Sequence, residues 1–201
     1  MDKAVFLDRD GVITQEPPYY AHRLDQLALI PRSGDAVRLL NENEILAVVV
    51  SNQAGIAHGY FREEDTALFN RALGEELGKL GVRIDAFYYC PHHPEAGMED
   101  YRTDCDCRKP GPGMMLKAAK DMGIDLPKSF MIGDKLTDIE AGKKAGCGTV
   151  LVKTGQGMEA LKNGSIWCGF IADDLYQAAE YILDLSHNTE NRSRASDRQT
   201  I

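Results

Sequence analysis

Two aspartates, Asp8 and Asp10, stand directly after a short apolar run and are followed by Gly11. Carboxylates so placed suit phosphoryl transfer. One attacks phosphorus in line and makes an acyl-phosphate that water then hydrolyses, while the other protonates the leaving alkoxide and afterwards activates that water. If the chain stays extended there, both side chains point the same way and Arg9 points opposite. Gly11 lets the backbone approach a phosphate closely. Asp134 and Asp138 lie four apart at the start of a predicted helix, on one face of its first turn. Gathering Asp8, Asp134 and Asp138 in one place is costly without a cation, and oxygen ligands beside a phosphate favour Mg²⁺. Lys109, between Arg108 and Pro110, lies on a loop and can neutralise the nucleophile together with a phosphate oxygen. Ser51 offers a hydroxyl and Asn52 a backbone N–H to the phosphate, with Gln53 completing this polar run.

A second group is Cys90-Pro-His92, then twelve residues, then Cys105-Asp-Cys107. Three thiolates and an imidazole make a closed, tetrahedral, structural Zn²⁺ site. Without metal they would be reduced thiols in a mobile loop. That long loop contains Gly97 and little apolar content, so it needs something to hold it. His93 competes with His92 as ligand; adjacent residues rarely both reach one metal, and His92 is preferred. Cys107 directly precedes Arg108-Lys109, so the metal would fix the loop that delivers the lysine. Cys147 and Cys168 stand apart in apolar surroundings as filler.

These side chains need a frame. Buried strands are predicted at Lys3–Leu7, Ile45–Val50, Ile84–Tyr89, Ser129–Ile132 and Thr149–Val152. Helices are predicted from Ser33, over Arg62–Leu80, Met114–Met122, Leu136–Ala145 and Leu175–Leu185. Alternation of this kind indicates an α/β fold: a Rossmann-like three-layer sandwich around a mostly parallel sheet. Ligands then bind beyond the carboxyl ends of the strands. Asp8-Arg9-Asp10, Ser51-Asn52-Gln53 and Gly133-Asp134 each follow a predicted strand, so three segments deliver polar groups to one sheet edge. Taken singly, these acids are ordinary turn residues, since Asp-Gly and Gly-Asp are common turn pairs. Together, at three strand ends, they read as a site. No insertion is long enough for a cap domain, so the loops Val12–Arg32 and Pro91–Gly113 must shape a comparatively open site. Residues 1–185 are expected to form a single domain, and 186–201, polar and aperiodic, a disordered tail.

The chain has 201 residues, 43% hydrophobic and 27% charged, which suffices for one sizeable core. Thirty-one acids against 23 bases give a net charge of −8, which argues against general affinity for nucleic acid or anionic membranes. Neither a signal peptide nor a membrane span is apparent, so the expected compartment is the cytoplasm. The chain is expected to act as a monomer.

DRDGV, VVVSNQ, RKP and MIGDKLTD, in that order, resemble the four motifs of the haloacid dehalogenase superfamily of phosphohydrolases. The resemblance implies Asp8 as nucleophile, Asp10 as general acid/base, and Ser51 and Lys109 as phosphate ligands. It also implies Mg²⁺ on Asp8, the Asp10 carbonyl and Asp134. The segment YYCPHHPEAGMEDYRTDCDCRKPGPGM, with NQAGIAHGYF and TGQG, resembles the capless, zinc-carrying bacterial D-glycero-D-manno-heptose 1,7-bisphosphate 7-phosphatases. The implied substrate is a small sugar bisphosphate that loses its primary phosphate during nucleotide-activated heptose synthesis. Histidinol-phosphate phosphatases share several motifs, but their stretch between the two metal-binding pairs is typically shorter. A phosphomutase would need a cap, and a non-enzymatic zinc-stabilised module would not need all of Asp8, Asp10, Lys109 and Asp134. In one departure, His58 stands where the heptose branch commonly has Arg. His58 and Arg108 are candidate contacts for a second phosphate.

Overall fold

Strand β1 (Ala4–Leu7) sends Val5 and Leu7 to one face and Ala4 and Phe6 to the other, and all four are buried. A strand hidden on both sides requires helices on both sides. The computed structural model describes residues 1–17, 20–162 and 168–197. It contains a six-stranded, all-parallel sheet in the order β3-β2-β1-β4-β5-β6. The other strands are β2 (Leu46–Asn52), β3 (Ala86–Cys90), β4 (Phe130–Gly133), β5 (Gly148–Val152) and β6 (Phe170–Ala172). From β1 the chain winds outward through β2 and β3, then returns to the opposite flank with β4. That reversal is where sheets of this type open a crevice for ligands.

One face packs against α1 (Ser33–Glu42), α2 (Glu63–Lys79) and α6 (Leu175–Asp197). Ala36, Val37 and Leu40 of α1 meet Ala178, Ala179 and Ile182 of α6 beneath Val5 and Val49. The other face carries α3 (Gly113–Met122) and α4 (Leu136–Ala145), with Met114, Met115, Ala118 and Ala141 against Phe6, Val48 and Met131. The short helix α5 (Gly157–Lys162) follows β5.

The expected Rossmann-like α/β sandwich is what the structure has, with a sheet that is wholly rather than mostly parallel. Three details differ from the sequence pattern. The third strand starts at Ala86 rather than Ile84, because the Asp85 carboxylate accepts from the Ala47 amide and ends the approach to the ladder. Strand β6 and helix α5 are too short to leave a periodic signature. Helix α6 runs on to Asp197, whereas residues 186–197 were expected to be disordered; no proline or glycine interrupts that stretch. Residues 198–201, the rest of the expected tail, lie outside the described residues. Among the described residues, no helix is long and apolar enough to cross a membrane.

Candidate active site

Asp8 is the first residue beyond β1, its amide bonded to the Ile132 carbonyl (3.0 Å), so the ladder fixes where its carboxylate projects. Lys109 arrives from the loop before α3 and is only 3% exposed. Its Nζ donates to Asp8 Oδ1 (2.9 Å) and the Val50 carbonyl (2.8 Å), and lies 2.7 Å from Asp138 Oδ1. The backbone of this lysine is pinned by Asn52: Lys109 N donates to Asn52 Oδ1 (3.0 Å), and Asn52 Nδ2 donates to the Lys109 carbonyl (2.9 Å).

Asp138 uses its second oxygen to accept from the Lys135 amide at the start of α4 (3.0 Å). Both its oxygens are therefore engaged, and it serves as the counter-ion of Lys109. Asp134 is fully buried; Oδ2 accepts from the Gln156 amide (2.8 Å), but Oδ1 has no hydrogen-bond partner. Gly11, at φ +89, lies against this carboxylate, and a Cβ there would come within 2.2 Å of Asp134 Oδ2. Lys135 Nζ pairs with Glu16 (2.9 Å) and stands 3.8 Å from Asp134 Oδ1.

The electrostatics follow. Burial alone would raise Asp8, but the charges of Lys109 and Lys135 prevail and hold its carboxyl below the usual range. Burial and the nearby Asp8 charge push Asp134 up to about 7. Burial acts against the charged form of Lys109, yet Asp138 and Asp8 more than restore it and keep the ammonium protonated. Carboxylate oxygens of Asp8, Asp134 and Asp138 lie within 4.8 Å of one another. Three buried carboxylates thus face two lysines, one of which also answers Glu16. An unpartnered buried oxygen, an excess of negative charge and an all-oxygen donor set fit Mg²⁺. Because Asp138 is occupied by Lys109, Asp8 and Asp134 are the carboxylates with capacity for the ion.

Above this floor opens a cavity of about 740 Å³. Asp8, Asp10, Ser51, Asn52, Arg108, Lys109, Lys135 and Asp138 line it, joined by Glu16, Tyr20 and Gln156. Beside it, Cys90, His92, Cys105 and Cys107 form a compact cluster. Their sulfurs lie 3.5 Å (Cys90–Cys105), 3.0 Å (Cys105–Cys107) and 3.1 Å (Cys107–Cys90) apart, with His92 Nδ1 3.2–3.7 Å from each. The hydrogen bond it shares with Cys90 draws the Cys107 thiol down to about 5, toward the form that binds a metal. Zn–S bonds of about 2.3 Å would need only slight spreading of these sulfurs. His93 turns away, and its Nδ1 accepts from the amides of Glu95 and Ala96. The loop has other ties: Tyr89 and Tyr101 donate to the two oxygens of Glu63 (2.7 and 2.9 Å), and Met98 N donates to the Ala57 carbonyl (2.8 Å). Gly97, at φ +107, passes so close that a Cβ would lie 2.3 Å from that carbonyl.

The chain is similar to known proteins. Residues 106–178 match the HAD-hydrolase-like family model. A D-glycero-beta-D-manno-heptose-1,7-bisphosphate 7-phosphatase of Pasteurella multocida is 48% identical over 157 residues, 78% of this chain and 84% of that protein. The protein of the same name from Escherichia coli K12 is 42% identical over 177 residues, 87% of this chain and 92% of that one. The chain belongs to this family of HAD-like phosphatases. A crystal structure of D,D-heptose 1,7-bisphosphate phosphatase from B. bronchiseptica, complexed with magnesium and phosphate, superposes with a TM-score of 0.81 at 33% identity. It covers 90% of this chain and 98% of that one.

As a member of this family, the chain brings Asp8, Asp10, Ser51, Asn52, Lys109, Asp134 and Arg108 to one sheet edge. Gln53 does not line the cavity: it is buried, and its Nε2 donates to Ser51 Oγ (2.7 Å) and Asp10 Oδ2 (3.2 Å). His58 lies one ring further out, its centroid 6.4 Å from Tyr20, 5.5 Å from Tyr60 and 5.1 Å from His93. Arg108 donates to the His92 carbonyl (3.2 Å), which links the thiol loop to the cavity rim. Sequence reasoning missed Lys135 and Gln156, although both sit inside quoted motifs, and it missed Glu16 and Tyr20, which carry no local signal.

Proposed function

We propose that this chain hydrolyses the C7 phosphate of D-glycero-D-manno-heptose 1,7-bisphosphate through a phosphorylated Asp8. The chemistry rests on one observation: the Asp8 carboxylate, ionised beside Lys109 at 2.9 Å, forms the floor of an open cavity. The substrate rests on relatives 42–48% identical over most of the chain, whose names specify the beta anomer; we assign the β anomer accordingly.

An Asp8 oxygen bonds to phosphorus as the bond to the sugar oxygen breaks, and Asp10 gives that oxygen its proton. Lys109 holds Asp8 in line and carries charge to the phosphoryl group, with Ser51 and the Asn52 amide as further donors. Asp10 then removes a proton from water, whose oxygen displaces Asp8 and releases phosphate. Asp10 is thereby protonated again. Mg²⁺, held by Asp8, the Asp10 carbonyl and Asp134, supplies positive charge to the phosphoryl oxygens when bound. Arg108 in the cavity lining suits the second phosphate, with His58 beside Tyr20 of the same lining as a further contact.

We assign Zn²⁺ to Cys90, His92, Cys105 and Cys107 as a structural ion. Cysteines that remain free in the structure suit a reducing compartment, and we assign the protein to the cytoplasm as a monomer. Residues 1–185 serve as one phosphatase domain, with both long loops bent over the same sheet edge.

Phosphate release with Mg²⁺ from both heptose bisphosphate anomers, histidinol phosphate, fructose 1,6-bisphosphate and a hexose 6-phosphate tests the assignment. The β anomer is expected to show a kcat/KM at least about a hundredfold above the rest. A preference for histidinol phosphate, or none, would overturn the substrate while leaving the chemistry intact.

A further inference from the structure

Arg9 is one of the largest fully buried side chains in the protein, and nothing in the steps above uses it. Nε donates to Asp10 Oδ1 (3.1 Å) and Nη2 to Asp10 Oδ2 (2.9 Å), so the guanidinium grips both oxygens of its own neighbour. The far side is anchored three ways. Nη1 donates to Asn70 Oδ1 (3.0 Å), Nη2 also donates to the Ala21 carbonyl (2.8 Å), and the guanidinium carbon lies 4.4 Å over the Phe69 ring. Thr14 Oγ1 and Gln53 Nε2 complete the set of donors to Asp10. A planar fork fixed at its back presents a carboxylate in one orientation, as a point-charge lysine does not.

We infer that Arg9 is the positioning residue for Asp10: it holds the acid/base carboxylate aimed at the leaving-group oxygen and at the attacking water. The inference rests on the reading of Asp10 as general acid. A misaimed acid matters only when the leaving group needs a proton. A sugar alkoxide needs one; p-nitrophenolate leaves without it. The quantity kcat/KM covers the steps up to loss of the leaving group, so it isolates this contribution.

The test compares kcat/KM for the sugar bisphosphate with that for p-nitrophenyl phosphate in Arg9→Met, Arg9→Lys, Asn70→Ala and Asp10→Asn. Arg9→Met keeps the buried stem. It is expected to lower the sugar phosphate value by about a hundredfold, the lower end of what a placed acid contributes, and the aryl value by less than about threefold. Arg9→Lys and Asn70→Ala are expected to show smaller losses with the same selectivity. If Arg9→Met does not fold, those two variants carry the test. In an Asp10→Asn background, the Arg9 substitution is expected to cost nothing further. Equal losses on both substrates, or an undiminished loss in the double variant, would overturn the role of Arg9. An Asp10→Asn variant without leaving-group selectivity would instead remove the reading of Asp10 itself.

Discussion

The cavity floor and the thiol cluster both crowd ionisable groups into a small volume, but they are held in opposite ways. Asp8, Ser51 and Asp134 sit at or just past strand ends whose preceding residues are fully buried, so the sheet fixes their positions. The floor also contains its own counter-ions, Lys109 and Lys135. In the cluster, only Cys90 belongs to a strand; His92, Cys105 and Cys107 hang on a loop, and the guanidinium of the nearby Arg108 bonds to a carbonyl. Charge held by a packed core is preorganised before any ligand arrives. Charge held by a loop is organised by its ligand.

The sharpest way to break this contrast is at the floor. Asp8→Asn is expected to fold normally and to lose at least about a thousandfold in turnover. A circular-dichroism melt beside a phosphate-release assay would show both, and retained activity removes Asp8 as nucleophile. Lys109→Met follows, with about a hundredfold loss of kcat/KM. Because Asp8 and Asp138 lose their buried partner, a stability loss of about 3–5 kcal/mol is also expected in urea titration. An unchanged midpoint would mean that the floor is not internally balanced.

The loop should behave differently. Stoichiometric zinc is expected by metal analysis of protein purified without chelator. Cys107→Ser should release it, lower the melting temperature, and reduce activity by about tenfold while the sheet stays folded. Absence of zinc in the wild-type protein would sink the assignment. The Mg²⁺ response should depend on pH. Asp134 is raised from 3.8 to about 7, so its protonated form is favoured in the folded protein. That contribution to stability is present below 3.8 and is lost as pH rises to about 7. A cation must displace this proton, so the Mg²⁺-induced rise in melting temperature should be larger at pH 8 than at pH 5.5. The smallest effect is expected from His58→Arg, a few-fold change in kcat/KM confined to substrates with a second phosphate. Equal changes for a monophosphate would detach His58 from the substrate.

Much of this was legible in the chain. The strand ends and the floor residues Asp8, Lys109 and Asp134 announce themselves because a buried apolar run stopping at a carboxylate is a local signal. The thiol spacing is equally local. What stayed hidden depends on reach. Arg9 could be expected to point away from Asp8, but not to fold back onto Asp10, because Asn70, Ala21 and Phe69 decide its path from distant positions. Asp138 fits a metal ligand by spacing and proves to be the counter-ion of Lys109, a pairing set by a loop 29 residues earlier. Strand β6 left no trace because three residues cannot establish a period.

The strand order also governs how the molecule is made. Strand β1 is paired on one side with β2, through Ala4 and Leu46, and on the other with β4, through Val5 and Phe130. The first flank can close early in synthesis. The second must wait until residue 130 has left the ribosome, on the order of ten seconds later at usual elongation rates. Throughout that interval the central strand presents a bare apolar edge, the kind of surface that chaperones cover. Asp8 is translated well before Lys109 and Lys135, and it waits for both to complete its set of neighbours.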